Sequence, residues 1–207
     1  MAKLALNKTA LKRERDQLQL CNRVLPPLDM KRRQLTAELR RARAALAAEQ
    51  DRYAEALAQA RAQLPMLAHG TPELAGLVRL QGVRTVEQNL VGVRLPMLEG
   101  VDFAVSDYAL LTSQPWLELY VERIQAAVTL RARLAVDEER VRRLDRAVRR
   151  VTQRVNLFEK VLIPTIRRNI RRIQAFLADA ERAAVVRSKI AKAMHARVPA
   201  EAVGGIP

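Results

Sequence analysis

LKRERDQLQLCNRVLPPLDMKRRQLTAELRRARAALAAEQDRYAEALAQA, residues 11–60, sets a seven-residue ladder of Leu11, Leu18, Leu25, Arg32, Leu39, Leu46, Tyr53 and Ala60. Cys21, Leu28, Leu35, Ala42 and Ala56 fill rungs between them. A narrow apolar seam with alternating spacings of three and four is what a helix shows when it buries one stripe against one partner helix. A second ladder runs Leu134, Val141, Val148, Val155 and Leu162, with Leu130, Leu144, Val151 and Phe158 between. Two such helices joined by a short middle can satisfy each other by folding back. The expected fold is therefore mainly α: a long antiparallel two-helix coiled coil of the N- and C-terminal segments, with a short head containing a short helix and a β-hairpin.

Outward from the ladders, the expected boundaries are 1–64 for the first helix, 65–112 for the head, 113–197 for the second helix and 198–207 for a flexible tail. The first helix is expected from a cap at Thr9 to Gln63, roughly 80 Å at 1.5 Å per residue. Pro26 and Pro27 remove two backbone donors, so a kink is expected there, but the ladder keeps its phase across them. Thr71-Pro72-Glu73 reads as a cap opening a short helix to Leu80. Val83–Arg94 and Val101–Val105 then read as two strands, with Pro96, Glu99 and Gly100 in the loop between them. The second helix is expected from Ser113, with Pro115 in its first turn, to Ala196. At about 125 Å it is longer than the first, so its end extends past the first helix or meets that helix's start. Near Pro164 the seam changes phase, and the apolar positions become Ile163, Ile166, Ile170, Ile173 and Leu177.

The chain of 207 residues carries a formal charge of +15 and only 3% aromatic residues, which suits a thin seam better than a thick core. Residues 1–64 hold 14 basic and 7 acidic side chains and residues 113–207 hold 20 and 10, against 3 and 5 in the middle. The charge therefore belongs to the helices, where it can meet nucleic acid, an anionic membrane or an acidic protein cavity. Some of it reads as a solvated face whose charges pair along the helix, as Glu138 can with Arg142. No stretch is long and apolar enough to span a bilayer or to serve as a signal peptide, and the lone Cys21 lies on the seam. The expectation from these features is a cytosolic chain.

Catalytic chemistry is not legible. There is no phosphate loop, and one cysteine with two distant histidines, His69 and His195, matches neither a zinc site nor a nucleophile pair. The expectation is a non-enzyme with no cofactor and no metal. Two arginine clusters stand out: Arg140, Arg142, Arg143, Arg146, Arg149 and Arg150, then Arg167, Arg168, Arg171 and Arg172. A basic helical-hairpin nucleic-acid-binding protein is the alternative reading, weakened by the near absence of aromatic stacking platforms.

Arg154-Val155-Asn156-Leu157-Phe158-Glu159, followed by Val161-Leu162-Ile163-Pro164 and then Ile166, Ile170 and Ile173, resembles the C-terminal helix of the D subunit of V-type (vacuolar/archaeal-type) rotary ATPases, in the bacterial form. Glu181-Arg182 and Lys189-Ile190 continue that likeness. Leu6-Asn7-Lys8-Thr9, Leu28-Asp29-Met30-Lys31-Arg32 and Val91-Gly92-Val93-Arg94-Leu95-Pro96 are similar to further stretches of the family. Lys8, Ala10 and the Pro26-Pro27 pair depart from its pattern. The γ subunit of F-type synthases also pairs its terminal helices, but residues 65–112 are too few for its inserted α/β domain.

The resemblance implies a central rotor-stalk subunit that carries torque between the catalytic ring and the membrane ion-translocating rotor. The implied partners are the catalytic and non-catalytic nucleotide-binding ring subunits (A and B), the F subunit and the funnel-shaped subunit linking to the membrane rotor ring. The implied place is the cytoplasmic face, with membrane contact only through the complex and no nucleic acid. The expected seam is Leu11, Leu18, Leu25, Leu28, Leu35, Leu39 and Leu46 against Leu134, Val141, Leu144, Val148, Val151, Val155, Phe158, Leu162, Ile166, Ile170, Ile173 and Leu177. The two arginine clusters are the candidate ring-facing residues.

Overall fold

The computed structural model describes residues 4–65, 74, 76–106 and 116–197. Among the described residues the chain is mainly helical, with a long helical stretch on either side of an antiparallel hairpin. Helix α1 spans Lys8–Gln63, strands β1 and β2 span Val78–Leu90 and Val93–Val105, and α2 spans Trp116–Asn156. A π-helical turn at Leu157–Leu162 then leads into α3, Ile163–Arg197.

Two compact units share these elements: Met1–Leu28 with Arg154–Pro207, and Asp29–Gln153. Within the first, α1 and α3 run antiparallel. The Glu14 carboxylate accepts a hydrogen bond from Asn169 at 3.3 Å, while Cys21, seven residues on, packs against Ile163 and Ile166. Within the second, α1 and α2 run antiparallel: Arg43 meets Asp145 at 3.1 Å, Arg133 lies 3.7 Å from Glu49, and Arg123 donates to Gln63 at 2.8 Å. Each unit has its own thin core. Cys21, Val155, Ile163, Ile166 and Ile173 are buried in one. Leu35, Leu39, Leu64, Leu95, Val121, Leu134, Leu144 and Val151 are buried in the other.

Helix α1 is capped ahead of Thr9, the residue expected to open it. Asn7 is the cap: its Oδ1 accepts the Ala10 N–H at 2.7 Å and its carbonyl accepts the Leu11 N–H at 3.0 Å. An Asn side chain at that position satisfies an otherwise orphaned donor of the first turn, which leaves Thr9 inside the helix. Pro26 and Pro27 lie within α1, which continues through both.

The hairpin also differs from expectation. Its turn is Val91-Gly92, closing the Leu90–Val93 pair, so Pro96, Glu99 and Gly100 belong to β2 and not to a loop. Both turn residues have positive φ, 51° and 75°, as a two-residue turn matched to strand twist requires. Gly92 meets this without cost, whereas Val91 is a β-branched outlier there. Pro96 is tolerated because each strand of a two-stranded sheet has an outer edge where no N–H is needed. Glu99 is the extra residue of a bulge between the Arg84–Gly100 and Thr85–Leu98 pairs. At Gly100 a Cβ would sit 2.7 Å from the Arg84 guanidinium, which itself pairs with Asp102 at 2.7 Å. The helix expected from Thr71 to Leu80 is contradicted at its end, since Val78–Leu80 open β1; Thr71–Glu73 lie outside the described residues. Valine and leucine there gain a cross-strand partner each, Val105 and Phe103, which local helix signals do not weigh. Ser113–Pro115 and the tail from 198 also lie outside the described residues, and α2 is described from Trp116.

Candidate functional site

Of the expected seam residues, Leu35, Leu39, Leu134, Leu144, Val151, Val155, Ile166 and Ile173 are buried. Leu11, Leu18, Leu25, Leu28, Leu46, Val141, Val148, Phe158, Leu162, Ile170 and Leu177 are half-buried. Ile163, outside the heptad, takes the buried place that Leu162 would hold: Ile163 is 7% exposed and packs on Cys21. The cause is the π turn, in which the Ile163 N–H bonds to the Phe158 carbonyl, five residues back. One residue is thereby inserted between Val155 and the next buried position. The seam's change of phase, read from sequence near Pro164, has this one-residue origin.

The two arginine clusters stand in different surroundings. In the first, Glu139 accepts hydrogen bonds from Arg142, Arg143 and Arg146 at 3.1, 3.0 and 3.2 Å. The Arg143 bond does most to hold the Glu139 carboxyl below the usual carboxylate range, and Glu139 in turn holds the Arg143 guanidinium above its own ordinary value. Arg143 also donates to the Arg94 carbonyl at 3.2 Å and meets Glu87 at 3.4 Å, tying α2 to both strands. Arg149 pairs with Asp145 at 2.8 Å, and burial pushes the Asp137 carboxyl up, with Arg140 opposing the rise. Arg150 makes no ion pair among the described residues. Most of this cluster is thus engaged within the chain, partly in holding the hairpin against the helix. On α1's side, Lys31 reaches the turn: its Nζ lies 3.3 Å from where a Gly92 Cβ would be. Leu95, on β2, is fully buried.

The second cluster is free of such partners. Arg167, Arg168, Arg171 and Arg172 are all exposed, and none pairs with an acid among the described residues. Their unit, residues 1–28 and 154–207, carries 17 Lys or Arg against 6 Asp or Glu. Residues 29–153 carry 20 against 16. Within the first unit Arg182–Asp179, at 3.4 Å, is the one ion pair among the described residues. The start of α1 and the middle of α3 add a shallow cleft where Lys8, Lys12 and Arg15 face Gln174, Leu177 and Glu181. Past it, Glu181–Met194 is exposed throughout, including Val185, Val186, Ile190 and Met194. This run of half-exposed apolar side chains among cations is not separable from an ordinary amphipathic stripe by sequence; the structure shows it because α1 ends its coverage near Lys8.

Among the described residues no group of three or more His, Cys, Asp or Glu is placed to hold a metal ion, and no helix is long and apolar enough to cross a membrane. The chemistry on offer is a set of exposed arginines on paired helices, of which Arg167, Arg168, Arg171 and Arg172 pair with no acid among the described residues. Fold and surface together define a protein of antiparallel paired helices with an exposed cationic surface and an exposed run of mixed apolar and basic residues over 181–194.

The sequence matches the family described as the D subunit of ATP synthase over residues 10–193, and the chain belongs to that family. It is 30% identical over 195 residues to the V-type ATP synthase D subunit of Borreliella burgdorferi, covering 93% of this chain and 95% of that protein. The V-type ATP synthase D subunits of Chlamydia muridarum and Chlamydia trachomatis serovar L2 are each 30% identical, over 92% of this chain and 95% of theirs.

Proposed function

We propose that the chain is the central rotor stalk of a V-type rotary ATPase, non-catalytic itself, transmitting torque between the nucleotide-binding ring and the membrane ion-translocating rotor. Residues 1–64 and 113–197 act as the axle and residues 65–112 as its head. The partners are the A and B ring subunits, the F subunit and the funnel-shaped subunit, at the cytoplasmic face of the membrane.

The observation that carries this reading is the exposed set Arg167, Arg168, Arg171 and Arg172, which pair with no acid among the described residues. A shaft turning inside a sleeve needs attraction without a fixed geometry. Exposed ion pairs supply that, since each is worth only about 0.2–1 kcal/mol and can exchange partners. Arg167, Arg168, Arg171 and Arg172 fit this role better than Arg142, Arg143, Arg146 and Arg149, which already have acids of their own. Relatives of similar length, matched nearly end to end, support the assignment.

The test is affinity purification of the tagged chain from its native membranes at moderate salt, with ATPase assay. Co-purification of two nucleotide-binding subunits and ATPase activity, unaffected by nuclease, is expected. Replacing all four of Arg167, Arg168, Arg171 and Arg172 with Gln should weaken assembly or coupling while nucleotide binding by the ring persists. Recovery of nucleic acid alone, lost on nuclease treatment, would replace this reading with nucleic-acid binding.

A further inference from the structure

The π turn at Leu157–Leu162 holds one residue more than the paired helices need. Up to Val155 the buried positions follow the heptad, and from Ile163 they follow it again through Ile166 and Ile173, displaced by one. Removing a single residue between Phe158 and Ile163 would restore an unbroken alternation of three and four from Leu144 to Ile173. An α-helix that keeps such an insertion gives up hydrogen-bond geometry over a full turn, and π turns of this kind concentrate at functional positions.

The surrounding backbone is weak as well. Pro164 brings no N–H, so a carbonyl one turn back lacks its intrahelical donor. Across the seam, α1 carries Pro26 and Pro27 directly after Leu25, and Leu25 packs with Cys21, Ile163 and Ile166. Both members of the helix pair therefore lose ladder hydrogen bonds at the same level. None of the π-turn residues is fully buried: Leu157 and Val161 are 48% and 52% exposed, and Phe158, which packs on the Cys21 cluster, and Leu162 are only half-buried, so side-chain contacts replace only part of what the backbone gives up. Segments with few buried contacts and broken ladders open at low free energy.

We propose that Leu157–Leu162 is a built-in yielding point of the paired helices, where the spare residue can shift along the backbone and let the seam from Ile163 re-seat against α1 without unfolding. Its use as a torsional give in a turning shaft rests on the rotor reading above; its softness does not. A shaft that meets successive ring states gains from one place that twists reversibly while the rest stays stiff. An inserted π turn supplies that without breaking the chain's helical continuity.

Hydrogen exchange by mass spectrometry on the full-length chain tests the softness directly. Amides over 157–165 should exchange at least ~tenfold faster than those over 144–153. Deleting the exposed Lys160 together with Pro164→Ala should bring the two segments within about threefold and raise the thermal midpoint. Equal exchange in the unaltered chain would overturn the proposal. So would a lower midpoint in the deletion variant, because the extra residue would then be required for packing. In the purified ATPase the deletion variant should assemble but turn over with altered coupling; failure of the unaltered chain to join any ATPase would remove the rotor reading and leave the exchange result standing.

Discussion

Two neighbouring residues, Leu162 and Ile163, discriminate between a continuous heptad and the π-shifted seam. Ile163 is 7% exposed in a cluster with Cys21 and Ile166, against which Leu18, Leu25, Phe158 and Ile170 also pack. Ile163→Ala would remove most of a buried side chain and leave a cavity lined by helices that can collapse only partly, a loss of ~3 kcal/mol within the usual range of 2–5. Leu162 is half-buried, so truncating it forfeits less transfer energy and opens less cavity, about 1 kcal/mol. With a urea slope of ~2 kcal/mol per molar, the two variants separate clearly: a fall in midpoint of ~1.5 M for Ile163→Ala and ~0.5 M for Leu162→Ala. Far-UV circular dichroism during urea titration of the full chain reads both, with unchanged slopes as the check that the unfolding transition is the same. A Leu162→Ala loss equal to or larger than that of Ile163→Ala would refute the shifted seam and return the chain to an uninterrupted seven-residue repeat.

Other outcomes follow from single contacts. Asp137 has its carboxyl pushed up chiefly by burial, with Glu49 adding to the rise and Arg140 and Arg133 opposing it. The folded state therefore binds this proton more tightly than the unfolded chain, and Asp137 costs stability as pH rises from its ordinary value near 3.9 through its folded value. Asp137→Asn should melt higher than the unaltered chain at about pH 7, with the difference shrinking towards about pH 4. Val91→Asn should stabilise the hairpin by about 1 kcal/mol, because Asn accepts positive φ where a β-branched residue is strained, and amide exchange of Leu90 and Val93 should slow. Asn7→Ala should cost about 1 kcal/mol of helix stability and fray the first turn of α1, visible as faster exchange at Ala10 and Leu11.

The long-range pattern was legible and the local punctuation was not. A seam repeated over many turns averages out individual residues, so the ladders from Leu11 and Leu134 locate both helices and the phase change near Pro164. The hairpin turned on a few residues instead. Pro96 and Gly100 are ordinary loop signals, yet one lies at an outer edge and the other makes room for Arg84. The actual turn contains Val91, which propensity places in a strand; pairing on both sides of it overrides that preference. The cap shifted from Thr9 to Asn7 because both residues can cap and only the backbone angle chooses between them. Among the candidate arginines, spacing alone made two equal clusters. The acids that set them apart, Glu139 and Asp145 within the helix and Glu87 on the hairpin, include one whose position no helical spacing reveals.

Cys21 finds Ile163 and Ile166 only after about 140 further residues have been made. At ribosomal speeds of ~5–20 residues per second, the seam of α1 waits roughly 7–30 s for its other half. During that interval the stripe from Leu11 to Leu28 is exposed on the nascent chain, next to other ribosomes translating the same message. Its narrowness then matters in a second way: alanine, arginine and single leucines offer a stray neighbour little to hold. A thicker core of aromatic residues would pack better once complete and aggregate more readily before completion. The thin seam thus suits a chain whose first helix is made long before its last, and it makes the residues from Asp29 to Gln153, which close on nearer partners, the natural first part to fold.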